Sequence, residues 1–534
     1  MTLFLKNSCQ VRKRLVQAGA VFAVIAAVAL VPGCGSTYRP VVTPIGNSGP
    51  PPQPTAYVAV VSAPSPTTPG IATIVDYSGD SVLAYASIGP GPSLLTVSQN
   101  GLSGFTVNSD GTLSTFPVSP SLQTKQVTFS TLNSPSQSGP PHPPVNMYST
   151  PSGLWTSDII GSYVDIFTAS GGVQAFDLAI PVAPTPALSA GLPANGERNY
   201  SISLNSTAAT NIIPFDVTCN NPSNFPTFIS NGENGEADGI ETASLTISSR
   251  IPVGVCPVYA VQSSDNRRLF VLNRGGDATN PGGSISVINT INNTADSCTP
   301  FQNQDGNWIT CHPSIALPAG PVYAEYITAS QQLVVANYDS NTISIINVSL
   351  DDYGNDSNTY ESNACTTLAE FESTPACNTI TGGFGTVYTV PVGNNPASVT
   401  VLADGSRAYT ANQTDGTVTI VNIASQTVEK TIPVIGHPRT VVSIQNSQYG
   451  KVYVASPDSP YLTILRTDLD IVDTTILVEG NIVDVRVSTQ NALSGNTNVI
   501  SRSPGAGQPC NLPPALMVAT YGSGYTLADC QKQP

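Results

Sequence analysis

Apolar and β-branched residues fall in short runs along most of the chain, cut at regular intervals by Gly, Asp, Asn and Ser. The clearest stretch lies between Pro396 and His437. Residues 398–402, 407–411, 417–422 and 427–432 are rich in Val, Ile, Thr and Tyr, with turn residues at Asp404-Gly405 and across 412–416. Such runs, each bounded by turn formers, predict four consecutive antiparallel strands. The pattern begins again at Pro438, after about 42 residues, which is the length of one blade in a propeller-type repeat.

The unit recurs. A second strand and its turn read as 269–273, 333–337, 408–412 and 452–456, and a third strand follows at 284–289, 342–347, 417–422 and 461–466. Pro257, Pro321, Pro396 and Pro438 open the four copies. Apolar residues or Thr occupy both strand faces, as expected when a sheet is covered on both sides; a sheet with one wet face would alternate. The expected fold is therefore all-β, a β-propeller of four-stranded antiparallel blades, with seven blades expected and eight as the alternative. Seven blades need roughly 300 residues at this period. The surplus is assigned to insertions at 119–145, 181–200, 220–240, 292–313 and 351–384, all rich in Pro, Ser, Asn, Gly and Thr. Residues 155–168 and 173–180 read as strands of an irregular early blade, and a strand near 57–61 is expected to close the ring against the C-terminal sheet.

Tyr409-Thr410-Ala411-Asn412, Val335-Ala336-Asn337 and the following strand at 341–346 resemble the YVTN-type propeller repeat, related to the lactonase-like propellers. The resemblance spans roughly residues 250–480, with fainter copies at 94–113 and 71–87. It implies architecture; one propeller framework carries many unrelated functions.

Residues 1–33 read as a signal peptide, with Lys6, Arg12, Lys13 and Arg14 ahead of an apolar stretch at 15–31. Val31-Pro32-Gly33-Cys34 resembles a bacterial lipobox, which would lipidate Cys34 as the mature N-terminus. Gly35 in place of Asp resembles outer-membrane sorting. Residues 34–55, with Pro40, Pro44, Pro50, Pro51, Pro52 and Pro54, form a tether too polar to bury a core. At ~3.1 Å per residue it would hold the domain up to roughly 65 Å from the membrane. Residues 56–534 are then a single propeller domain with loop insertions. The expected location is the cell envelope, with the lipid as the only membrane contact.

The formal charge is −15, and loss of the four leader cations takes it to −19. That balance argues against nucleic acid, which needs basic surface. Eight cysteines remain after Cys9 and Cys34, and they fall as sequence neighbours, so local pairing is expected: Cys219 with Cys256, Cys298 with Cys311, Cys365 with Cys377, Cys510 with Cys530. No Cys-x-x-Cys occurs, and no cofactor is expected.

Chemistry-bearing motifs are sparse. There is no Gly-x-Ser-x-Gly elbow, no His-Glu-x-x-His and no phosphate loop. Of His142, His312 and His437, only His437 sits at a blade entry, where with Arg439 it could face the central funnel. Asp351, Asp352 and Asp356 form the most acidic loop and are the candidates for calcium, without EF-hand spacing. The expected function is a non-catalytic envelope lipoprotein whose monomeric propeller displays loops to an envelope protein or extracellular ligand. The alternative is an extracytoplasmic lactonase-like hydrolase with its site at the funnel.

Overall fold

The computed structural model describes residues 56–488 except 99, 132–145, 151–152, 159–162, 171–172, 182–186, 195–197, 204–234, 242–243, 245, 276–281, 445–446 and 448–449. The leader, Cys34, the tether, His142, Cys219, Cys510 and Cys530 lie outside the described residues.

Nearly every described element is a strand, and most strands form antiparallel sheets of four or five, numbered here along the chain. Sheet 1 contains Tyr57–Ala63, Pro69–Asp76 and Ser81–Pro90, completed by Asn481–Val487 from the far end of the described chain. Sheet 2 runs from Leu94–Val97 to Thr128–Thr131, sheet 3 from Asn146–Thr150 to Val173–Pro181, and sheet 4 from Ala187–Ala194 to Thr246–Pro252. Sheet 5 holds Pro257–Gln262, Arg268–Asn273 and Gly283–Asn289, with Thr294–Ala295 and Ser314–Leu317 sharing its outer edge. Sheet 6 is Pro321–Ile327, Gln332–Asn337, Thr342–Asn347 and Val387–Pro391. Sheet 7 is Pro396–Val401, Arg407–Asn412, Thr417–Asn422 and Thr427–Pro433. Sheet 8 is Thr440–Ile444, Lys451–Ala455, Tyr461–Arg466 and Ile471–Leu477.

Among the described residues seven of these sheets have four strands and sheet 5 has five, beside two small two-stranded sheets within the insertions. Sheet 4 lies partly in segments 181–200 and 220–240, which were expected to be insertions. Strands Ala187–Ala194, Arg198–Ser203 and Glu236–Glu241 run through segments whose Pro, Gly and Ser content reads as loop. Pairing to neighbouring strands overrides that weak propensity, with register shifts between Ala187 and Leu192 as the trace of the misfit.

The first strand of each sheet packs on the first strand of the next, from Leu94–Val97 through Thr440–Ile444 to Asn481–Val487 and back to Leu94–Val97. Antiparallel pairing of Val58 with Val487 and Val60 with Val485 joins the two ends of the ring, where the N-terminal strand was expected to close it.

The cores lie between sheets. On Thr417–Asn422, Ile420 enters a cluster with Tyr409, Val441, Val452 and Leu465 of sheets 7 and 8. Its neighbour Val421 enters a cluster with Val334, Ile345 and Val399 of sheets 6 and 7. Period-two alternation therefore feeds two cores at once, and burying each such side chain is worth roughly 1.5–3 kcal/mol.

A repeated hydrogen bond explains why the second strand ends in Asn. Asn412 Nδ2 donates to Thr417 Oγ1 at 3.0 Å and Thr419 Oγ1 at 2.8 Å, cross-linking two strands. Asn108, Asn273 and Asn337 do the same to Thr112 and Ser114, Ser284 and Ser286, and Thr342 and Ser344.

Charged pairs join adjacent sheets at one recurring place. The first residue of a second strand reaches the connection between third and outer strands of the next sheet. Arg268 meets Asp356, Arg407 meets Asp470, and Lys451 meets Asp80 at 2.6 Å.

Two bridges, Cys298–Cys311 and Cys365–Cys377, fasten the long insertions of sheets 5 and 6. These insertions share a small core in which Trp308 stacks on Phe371 at 4.5 Å and donates its indole N–H to the Cys365 carbonyl at 2.8 Å. Cys256 is also disulfide-bonded. Such bonds persist in oxidising, extracytoplasmic compartments. Among the described residues no helix is long and apolar enough to cross a membrane.

Candidate functional site

His437 stands on the turn entering sheet 8, after Gly436 at φ +76. Asp458, on the turn after Lys451–Ala455, accepts from the His437 backbone N–H at 2.8 Å and contacts its Nδ1 at 2.6 Å. Partial burial pushes the Asp458 carboxyl up, but these bonds from His437 outweigh it and hold the group below its ordinary range. Both side chains are open to solvent, at 61% and 46%. Arg439 is tied through its backbone: its N–H donates to the Ala455 carbonyl, and its own carbonyl accepts from Ser398 Oγ. The side-chain hydrogen bond of His437 goes to Asp458.

The acidic loop also divides. Asp351 folds back on its own turn, accepting from the backbone N–H groups of Tyr353 and Asn355 and from the Asn303 side chain. Asp356 is buried and faces the other way, contacting Arg268 at 3.1 Å and His312 Nδ1 at 2.8 Å, while Asp352 is exposed. These oxygens are held by protein donors pointing in different directions, and among the described residues no group of three or more His, Cys, Asp or Glu is placed to hold a metal ion.

A polar cluster that sequence reading passed over lies on the innermost strands. Tyr259 and Tyr323 each follow a Pro-Val pair, two residues after the proline that opens sheets 5 and 6. Their rings stack at 4.8 Å. Burial first, then Tyr323, raises the Tyr259 hydroxyl well above the ordinary tyrosine value, while the nearby charge of Arg486 opposes the rise. Arg486 belongs to Asn481–Val487, the strand that closes the ring. Its Nη1 donates to Asp484 Oδ1 at 2.7 Å and to the Val485 carbonyl at 2.8 Å. Enclosure works against its charge, but Asp484, Tyr323 and Tyr259 together hold the guanidinium protonated.

Glu325, two residues beyond Tyr323, is enclosed between sheets 6 and 7. Burial pushes its carboxyl up to about 8, against the pull of the Val401 N–H and the Thr400 hydroxyl. At neutral pH this acid keeps its proton.

The sequence signal for the cluster was the repeated Pro-Val-Tyr, which aligns Tyr259 with Tyr323. Arg486 carries no such signal. It lies more than two hundred residues from Tyr259, and only ring closure brings the two within electrostatic reach.

No protein-family model and no curated protein matches this sequence. Solved structures do. Dihydro-heme d1 dehydrogenase NirN in complex with DHE is similar at TM-score 0.50 and 10% identity, covering 83% of this chain and 76% of that one. Apo AztD from Citrobacter koseri is similar at TM-score 0.48 and 11% identity over 81% of this chain and 98% of that one. A candidate 6-phosphogluconolactonase from Bacteroides fragilis NCTC 9343 gives 0.42 and 12% over 81% and 98%. At such identities likeness speaks to fold alone. With the sheet arrangement above, the class is a β-propeller.

Proposed function

We propose that this chain is a non-catalytic binding module: an eight-bladed propeller, one blade per sheet, displayed at the bacterial cell envelope from a lipidated Cys34. The observation that carries the reading is the state of the groups at the ring's inner strands. Arg486 holds Asp484, and Glu325 keeps its proton at neutral pH. Among the described residues named above, the inner strands carry a guanidinium and two phenols, groups that bind, while the two acids beside them are engaged within the protein, which supports binding over acid–base chemistry. The ring supports this as a rigid frame, and the disulfide-fastened insertions of sheets 5 and 6 give it a stiff surface to present.

A second reading, hydrolysis of a sugar lactone, has one observation in its favour: the His437–Asp458 pair, in which a carboxylate orients an imidazole. Incubating the purified chain with glucono-δ-lactone decides between them. We expect hydrolysis at the buffer rate; a faster rate abolished by Asp458→Asn would replace the binding module with the hydrolase. For the anchor, a palmitate analogue should label the wild type and not Cys34→Ala. Pull-down from detergent-solubilised envelope identifies the partner.

A further inference from the structure

We propose that the two disulfide-fastened insertions sit on the ring through a proton-operated latch of Arg268, Asp296, His312 and Asp356, closed in mildly acidic surroundings and loosened above neutral pH. The inference stands apart from the binding reading: it concerns how the insertions are held, whatever they present.

The first observation is placement. Arg268 opens the second strand of sheet 5. Asp296 stands two residues before Cys298, and His312 one residue after Cys311, so the latch grips both ends of that bridged loop. Asp356 comes from the insertion of sheet 6 and contacts both Arg268 and His312. One ring strand is thereby tied to both insertions. Arg268, Asp296 and Asp356 are buried, whereas the His312 side chain keeps 20% exposure and gives protons a way in.

The second is a shortage of donors. Arg268 Nη2 carries two hydrogens, yet three oxygens lie around it. They are Asp356 Oδ1 at 3.1 Å, the Gly354 carbonyl at 3.3 Å and Asp296 Oδ1 at 3.3 Å. Nη1 of the same guanidinium donates to the Arg267 carbonyl. Asp296 Oδ2 is buried with no hydrogen-bond partner among the described residues, a costly state for a polar atom. A proton on either acid supplies the missing donor, because a side-chain hydrogen bond then joins Asp296 to Asp356.

The third is a shortage of positive charge. Two enclosed carboxylates share one guanidinium nitrogen. Of the neighbouring charges, Arg267 pairs with Asp265 at 3.9 Å, and Asp351 is held by the Tyr353 and Asn355 N–H groups and by Asn303. Asp356 Oδ2 accepts from the His312 backbone N–H at 3.0 Å and contacts Nδ1 of its imidazole at 2.8 Å. Phe384, the ring packed on that imidazole, brings no charge. With His312 neutral and both acids ionised, the four groups carry one uncompensated negative charge. A single proton, on Asp296 or on His312, cancels it. Burial, against the pull of Arg268 and with the push of Asp356, lifts the Asp296 carboxyl to about 6. The seated form therefore binds the extra proton between the ordinary aspartate value and 6. Its added hold is complete below that ordinary value and is lost as pH rises through 6.

Native-state hydrogen exchange of the full chain is the experiment, read by mass spectrometry at pH 5 and pH 7.5 and corrected for the intrinsic rate at each pH. Protection of amides in 292–313 and 351–384 should fall about tenfold over that range, as for one carboxyl released near 6. Asp296→Asn, which puts an uncharged amide in the same place, should hold these amides equally protected at both pH values. Glu325→Gln removes a titrating group of the ring itself and should leave the tenfold fall in place, since the insertions open without the ring unfolding. Circular dichroism checks that each variant is folded, and the wild type and Glu325→Gln carry the test if Asp296→Asn is not. Protection independent of pH in the wild type, a fall undiminished in Asp296→Asn, or a fall abolished in Glu325→Gln overturns the latch.

Discussion

At the scale of single residues, small polar groups set the repeat's geometry. Gly393 shows how closely: a Cβ there would come within 2.6 Å of the Asn412 side chain, so only glycine lets the entry turn lie flush on the strand-joining amide. Gly89 stands in the same way over Asn108, and Gly254 over Asn273. The Asn was legible in the sequence as the last letter of the repeat signature. Its bonding to two hydroxyls of the next strand was not, because those hydroxyls belong to ordinary Ser and Thr positions. Glu325 is the residue whose chemistry departs furthest from expectation. Its carboxyl titrates near 8 in the folded chain, and near the ordinary glutamate value when unfolded. Between those limits the native state binds the extra proton, so its contribution to stability is complete below the unfolded value and is lost as pH rises through 8. Urea midpoints measured from pH 5 to pH 8.5 should fall with pH, and Glu325→Gln should flatten the fall. Asp238, raised to about 8 mainly by burial, and Asp296, raised to about 6 mainly by burial, add slope of the same sign, so some decline remains in the variant. A slope unchanged in Glu325→Gln would show that its carboxyl is already ionised in the fold.

At the scale of elements, sheets are held to one another by apolar faces and by cations reaching forward to the next sheet. The pair of Lys451 and Asp80 is enclosed on both sides, with side chains 3% and 7% exposed. Lys451 also donates to the Tyr77 carbonyl at 2.7 Å and lies over the Tyr77 ring. Asp80→Ala leaves a buried ammonium without its counter-charge, a change worth about 3–5 kcal/mol. Lys451→Met combined with Asp80→Ala should recover much of that loss. By contrast, Asp468→Ala removes a more exposed partner of Arg466 and should cost under about 1 kcal/mol. Denaturant unfolding of the four proteins is the check; equal losses for Asp80→Ala and Asp468→Ala would mean that the buried pair does not join sheets 8 and 1. Outer strands show the opposite balance. Thr427–Pro433 is exposed along most of its length, and its pattern is closer to a solvated edge than to the apolar strands it borders.

At the scale of the whole molecule, one strand decides whether the ring is closed. Asn481–Val487 is the innermost strand of sheet 1, pairs with Tyr57–Ala63, and packs on the inner strands of sheets 2 and 8. Deleting residues 480–488 removes this strand and opens the ring, exposing Val58 and Val60 and removing Arg486. We expect the shortened chain to unfold at lower urea with a broadened transition, because each sheet is covered only by its neighbours. Adding residues 480–488 as a separate peptide should shift the midpoint back. An unaltered midpoint in the shortened chain would mean that closure does not depend on this strand.

Strand content, the order of strands in sheets 5 to 8 and the short bridges 298–311 and 365–377 were determined by the sequence alone. The reason is that they are local: apolar period, turn residues and cysteine spacing all act within a few dozen residues. The strands of sheet 4, the inter-sheet ion pairs and the electrostatic link of Arg486 to Tyr259 and Tyr323 were decided only by the tertiary structure. Ala187–Ala194 becomes a strand because neighbouring strands offer it hydrogen bonds, against its own weak preference. Arg486 comes within electrostatic reach of the tyrosines because the two ends of the domain share sheet 1, a relation between residues too distant along the chain for any local pattern to encode.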